Sequence, residues 1–217
     1  MNIALFDLDY TLIGFDSDHA WGEYLCAKGK VDADLYRRRN DQFYADYRAG
    51  RLVMQDFLDF SLAPLGALPV AELYALRDDF MRNEGAVQAL PKAKELVRLH
   101  QSRGERTAIV TATNRFVTEP FAEIFGVDHL MATEILWKDG RPTAHADGPP
   151  CFREGKIGHV QRWLDTFGGN LKDCTFYSDS HNDLPLLNAV GRAVAVDPDA
   201  TLLAAAKQNS WSVLTLK

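Results

Sequence analysis

The apolar run Ile3-Ala4-Leu5-Phe6 passes directly into Asp7-Leu8-Asp9-Tyr10-Thr11, and this junction constrains the chain more than any other stretch. A short buried strand that opens at its carboxyl end into two carboxylates puts negative charge where open α/β sheets bind their ligands. Alternation along an extended segment sends Asp7 and Asp9 to one side and Leu8 into the core. Such a pair suits a hard divalent cation, Mg²⁺ above all, which takes oxygen ligands and keeps several waters. In isolation the motif could equally be an acidic turn after a strand.

The same logic recurs far down the chain in Thr175-Phe176-Tyr177-Ser178-Asp179-Ser180-His181-Asn182-Asp183, an apolar stretch that ends in an acidic and polar cluster. Between the two lie Ala108-Ile109-Val110-Thr111, a strand ending in a hydroxyl, and Lys156 near the start of a helical stretch. In these four motifs, taken in order, the chain resembles the haloacid dehalogenase superfamily, in particular its phosphoserine phosphatase-like and histidinol-phosphatase-like branch (subfamily IB). The resemblance spans nearly the whole chain. Each motif alone is common; four in order, each at a strand end or helix start, are specific.

With 217 residues the chain can bury one good core plus a small insert without disulfides or metal staples. Cys26, Cys151 and Cys174 are an odd set with no CxxC spacing, as expected of incidental thiols in a reducing compartment. The start Met1-Asn2-Ile3-Ala4 has no basic leader, and no stretch approaches the roughly 18 apolar residues of a membrane span, so a cytoplasmic location is expected. A formal charge of −6 with no basic stripe speaks against nucleic acid or membrane as partner. Arg37-Arg38-Arg39 sits among Asp34, Asp41 and Asp46 and reads as a solvated helix face. The histidines show no HxH or HExxH spacing, against zinc, and no GxxxxGK[ST] loop is present.

Strand–helix alternation breaks off after the first strand and resumes near residue 91. The interruption carries apolar residues at helical spacing over 18–28, 33–49, 54–63 and 70–83, which predicts four helices separated by Gly29, Gly50-Arg51 and Gly66 with Pro69. Its aromatics read chiefly as the core of a small bundle. From Pro91 onward the pattern predicts helices 92–103, 116–125, 154–167, 183–190 and 200–208. Strands are predicted at 106–111, 129–132, 174–178, 192–196 and 211–215, with a hairpin turning at Asp139-Gly140. The expected fold is α/β: a doubly wound, three-layer, Rossmann-like parallel sheet over 1–14 and 86–217, with an inserted all-helical cap over 15–85.

The resemblance implies a phosphomonoesterase of Mg²⁺ type with a small-molecule substrate. It makes Asp7 the nucleophile and Asp9 the general acid and base. It places Mg²⁺ among Asp7, the Asp9 backbone carbonyl and Asp179, with Asp183 orienting its waters and Asn182 alongside. Thr111 and the Ala112 amide would bind phosphoryl oxygens, and Lys156 would balance their charge. Asn114 and Arg115 could reach the substrate or cap the following helix. His181 has no assigned role.

For the organic end of the substrate, Asp16 falls at the offset, nine after Asp7, where phosphoserine phosphatases hold the substrate amine. The position of their carboxylate-binding arginine falls on Asp59, with Arg48 or Arg51 as substitutes. Asp16, Asp18 and Asp59 then describe an acidic pocket for a cationic phosphomonoester, histidinol phosphate foremost, whose ring Trp21 or Tyr44 could stack. Phosphoserine, phosphoethanolamine and phosphocholine are alternatives, as are a phosphotransferase and a catalytically silent phosphate-binding module. Asp16 and Asp18 could instead simply cap a helix.

Overall fold

The computed structural model describes residues 2–85 and 88–217. At its centre lies a six-stranded parallel sheet of β1 (Ile3–Phe6), β2 (Arg106–Asn114), β3 (His129–Thr133), β6 (Cys174–Ser178), β7 (Arg192–Val196) and β8 (Ser212–Leu214), in the order β3-β2-β1-β6-β7-β8. The order reverses at β1, which pairs with β2 on one side and β6 on the other. In register, Phe6 stands opposite Ile109 and Tyr177. Asp7 and Asp179 thus follow directly on the carboxyl ends of β1 and β6, with Thr111 beside them in β2, at the switch point where doubly wound sheets bind ligands.

Alternation along β1 divides two apolar clusters. Ala4 and Phe6 face one side, packed with α6 (Pro91–Ser102), α7 (Arg115–Phe125) and the inserted helices. Ile3 and Leu5 face the other, against α8 (Glu154–Asp165), α9 (Leu184–Ala189) and α10 (Ala200–Gln208). This is the expected three-layer architecture.

The insertion holds five helices: α1 (Ser17–Ala27), α2 (Ala33–Arg48), α3 (Met54–Ser61), α4 (Ala63–Ala67) and α5 (Val70–Phe80), the last continued by a π-helical turn at Met81–Gly85. The expected helix over 54–63 is divided because Pro64 has no N–H to continue α3 and instead sits in the first turn of α4. Residue 86, where the second core segment was expected to begin, lies outside the described residues.

The Asp139-Gly140 turn joins β4 (Ile135–Lys138) to β5 (Arg141–Ala146), both turn residues having positive φ as a two-residue hairpin requires. This pair stands apart from the central sheet, with β5 against α4. The approach is so close that a Cβ on Gly66 would stand 2.8 Å from the Ala144 nitrogen.

Trp21, offered above as a stacking partner for substrate, is instead only 1% exposed. Its ring packs on Tyr24, Phe80 and Phe116, so it joins the insertion to α7 and is out of a ligand's reach. Trp21→Ala should lower unfolding stability by roughly 3–5 kcal/mol. Chemical denaturation checks this, and KM for a small phosphate ester should stay at the wild-type value.

Candidate active site

The chain after β1 turns back on itself. Tyr10 takes a left-handed conformation (φ 55), and the amides of Leu12 and Ile13 both return to the Leu8 carbonyl. The reversal brings the Thr11 hydroxyl to Asp7 Oδ2 (3.4 Å) and Asp179 Oδ1 (3.5 Å), while the Asp179 amide donates to Thr11 Oγ1 at 3.1 Å. One threonine thus spaces the acidic residues of two strands.

Lys156 projects from the first turn of α8 and is 2% exposed. Its ammonium donates to Asp7 Oδ1 at 2.9 Å and lies 2.7 Å from Asp183 Oδ1. Asp183 also accepts from the Ser178 hydroxyl at 2.8 Å, so both its oxygens are engaged and it orients its neighbours from behind the cavity wall. Burial opposes the Lys156 charge, but Asp183 and Asp7 outweigh it and raise its pKa.

For Asp7 the balance runs the other way. Burial dominates over the Lys156 ammonium and pushes its carboxyl up to about 6. Asp179 is raised well above the usual range by burial, then by Asp7 and Asp183.

Asp9 is held separately. Its Oδ1 accepts from the Ser17 amide at 2.7 Å and its Oδ2 from the Thr113 hydroxyl at 3.0 Å. Burial, then Asp16 and Asp7, raises its pKa well above the ordinary carboxylate value. Thr113 and Ser17 were not among the expected site residues. Thr113 lies where β2 runs three residues beyond its predicted end and its pairing with β3 shifts register, so period-two spacing carries no signal for it. Thr111 itself is fully buried, its Oγ1 accepting from the Thr113 amide at 3.2 Å, and Ala112 and Thr113 form the cavity wall there.

Over this edge lies a cavity of about 270 Å³. Asp7, Asp9 and Asp179 form its floor, and α1, α2 and α3 roof it with Asp18, Tyr44, Arg48 and Phe57 among others. Asp16 lines it too but serves as N-cap of α1, accepting from the His19 amide at 2.8 Å. Asp18 reaches the cavity from the first turn of that helix, and burial followed by the Asp16 charge pushes its carboxyl up to about 7.

Asp59 does not belong to the site, contrary to expectation. It is exposed on the outer face of α3, where it accepts from Gln55 one turn earlier at 2.9 Å, while Met54 and Phe57 take the inner face. Arg51 is likewise exposed, paired with Asp46 at 2.7 Å. Arg48 does line the cavity and donates to Tyr44 Oη at 3.3 Å. The pocket is therefore mixed in charge.

Asn114 caps α7 through Val117, and Arg115 is bound to Glu134 and the Leu130 carbonyl, so neither faces the cavity. His181 is at the rim, its Nδ1 2.7 Å from Asp199 Oδ2.

The family model described as haloacid dehalogenase-like hydrolase matches residues 4–188. The chain belongs to this family. It is 42% identical to a histidinol-phosphatase from Neisseria meningitidis serogroup C, over 100% of this chain and 99% of that one. It is 31% identical to phosphoserine phosphatase SerB1 of Mycobacterium tuberculosis, over 97% of this chain and 69% of the relative. A crystal structure from Bordetella pertussis Tohama I, described as of unknown function, superposes with a TM-score of 0.93 at 42% identity, covering 100% and 99% of the two chains. A substrate-bound phosphoserine phosphatase superposes at 0.73 with 18% identity, covering 100% and 93%, a likeness of fold. Membership in this hydrolase family, together with the likeness to these two phosphatases in sequence, makes the chain a phosphatase.

The donor set fits a hard cation. Two carboxylates, Asp7 and Asp183, share one ammonium, and among the described residues the Asp179 carboxylate beside them meets only the Thr11 hydroxyl, with no cation on it. Among the described residues no three His, Cys, Asp or Glu side chains converge into a cage. Mg²⁺ suits such a site, since it binds through one or two carboxylates, waters and substrate phosphate.

The raised Asp7 pKa has a consequence for stability. Between the ordinary 3.8 and about 6 the folded protein holds a proton that the unfolded chain has released, so stability is lost as pH rises through that window. In metal-free solution Asp7→Asn should therefore be more stable than wild type at pH 7, by about 2–3 kcal/mol, and level with it at pH 4. Urea midpoints at the two pH values check this; a gain equal at both would refute it.

Proposed function

We propose that the chain is a Mg²⁺-dependent phosphomonoesterase working through an aspartyl-phosphate on Asp7, with a cationic metabolite, histidinol phosphate, as preferred substrate. The observation that carries the chemistry is the buried Asp7–Lys156–Asp183 chain at the switch point of the sheet, opening onto a roofed cavity. A carboxylate held by an ammonium keeps its orientation while its other oxygen attacks phosphorus. Asp9, whose pKa burial raises, is suited to deliver a proton to the leaving alkoxide and then to take one from the water that cleaves the acyl phosphate.

Lys156 balances charge on the phosphoryl oxygens, and Thr111 and the Ala112 amide donate to them. Asp7, Asp179 and the Asp9 backbone carbonyl would hold Mg²⁺, with Asp183 and Asn182 behind; the ion would neutralise phosphoryl charge. The helices over 15–85 act as the cap that keeps bulk water from the first step. The buried thiols of Cys26, Cys151 and Cys174 support a reducing, cytoplasmic setting.

Asp18, within a wall of aromatic rings, supports an ammonium or imidazolium on the substrate, as does the likeness to the Neisseria enzyme. Arg48 in the same cavity favours a second reading, a carboxylate-bearing ester such as phosphoserine.

Asp7→Asn should reduce turnover of p-nitrophenyl phosphate below a few per cent of wild type. EDTA should silence the wild type, and Mg²⁺ should restore it. Histidinol phosphate should exceed phosphoserine in kcat/KM by at least about tenfold, equivalent to about 1.4 kcal/mol. Asp18→Asn should remove most of that preference while changing the aryl ester by less than about threefold, which has no cation to lose. A preference for phosphoserine would establish the Arg48 reading instead.

A further inference from the structure

Arg153 stands three residues before Lys156, at the N-cap of α8, with φ 48 and ψ −120. A residue with a side chain enters that region only where its surroundings hold it there. Here the guanidinium is the anchor. Its Nε and Nη2 donate to Asn182 Oδ1 at 3.2 and 3.1 Å, and Nη2 donates also to the Gly50 carbonyl. Asn182 in turn donates through Nδ2 to the Tyr47 carbonyl at 3.1 Å.

Tyr47 and Gly50 lie at the end of α2, where carbonyls run out of helical partners and the helix dipole is negative. A cationic fork and an amide are the complementary groups. Gly50 permits the contact, because it has positive φ (+68) and a Cβ there would stand 2.8 Å from His181 Nε2.

Arg153 and Lys156 spring from one turn, and their partners Asn182 and Asp183 are neighbours in the chain. Two parallel links therefore join the start of α8 to the 180–183 segment. One carries the site's ammonium, and the other ends on the helical roof.

We propose that Arg153 and Asn182 are positioning residues, forming a clasp that ties the end of α2 to the Lys156–Asp183 pair. The ammonium is then held in register with Asp7 when the roof is seated. The clasp rests on the phosphatase reading of Asp7 and Lys156, and the two fail separately. A wild type inactive on every phosphate ester sinks that reading, whereas an active wild type with unaffected variants sinks the clasp alone.

The test uses p-nitrophenyl phosphate with saturating Mg²⁺. Arg153→Ala and Asn182→Ala should each lower kcat at least about tenfold while KM moves less than about threefold, because this ester's binding does not depend on the roof. The double variant should fall no more than about threefold below the poorer single, as residues acting as one unit do. Arg153→Lys, keeping one donor, should recover part of kcat. Gly50→Ala, which disturbs the clasp from the other side, should reproduce the loss.

Circular dichroism and melting establish that each variant is folded. If Arg153→Ala does not fold, Asn182→Ala and Gly50→Ala carry the test. Folded variants with kcat within about twofold of wild type overturn the proposal, as do singles whose losses multiply. Loss of folding in all three alanine variants would assign these contacts to stability alone and overturn it as well.

Discussion

The Lys156 ammonium, buried between Asp7 and Asp183, is the interaction on which the rest of the site depends. Removing two carboxylates and an ammonium from water costs several kcal/mol per ion, and only close contact with every charge recovers it. That demand is met from three directions: β1 brings Asp7, α8 brings Lys156, and the short turn after β6 brings Asp183. A parallel sheet with helices on both faces can align these three, since its strand ends share one edge and its helices begin there. The pair thus ties residues 149 positions apart in sequence.

The charge does not balance within the protein. Asp179 and Asp9 add negative charge to a wall already relying on one lysine, and burial raises the pKa of Asp7, Asp9 and Asp179 together. Such a site spends stability to hold groups ready for chemistry, as active sites commonly do. Asp9 shows how environment sets a role. It lies two residues from Asp7 but bonds an amide and a hydroxyl, whereas Asp7 faces a cation.

The insertion roofs this base and is not independent of it. Trp21, Phe80 and Leu62 share one apolar cluster with Phe6 and Ile109 of the sheet, so the roof over the cavity grows out of the same core. Polar contacts hold it at that root, where Arg77 donates to the Phe116 carbonyl and Glu119, and at a tip where the last turn of α2 meets Arg153 and Asn182. Between the apolar root and the polar tip, Asp18, Tyr44 and Arg48 are presented to whatever occupies the cavity.

Strand ends, helix periods and the order of the four acidic, hydroxyl and lysine motifs were legible along the chain, because each depends on local alternation or spacing. From these came the three-layer sheet, the helical insertion, the Asp139-Gly140 turn, and the grouping of Asp7, Asp9, Asp179 and Lys156 at one edge. The division at Pro64 was legible too but was missed. What local pattern could not decide was which face of a helix meets the cavity. Asp59 and Asp18 are both acidic residues on inserted helices, yet rotation about the helix axis sends one to solvent and the other inward. Trp21 was likewise indistinguishable in sequence from a ring that stacks on substrate until its neighbours Phe80 and Phe116 closed over it. Arg153 carries no motif at all. Its role arises where a turn, the 180–183 segment and a helix end meet, and such coincidences exist only once long-range packing has brought the three together.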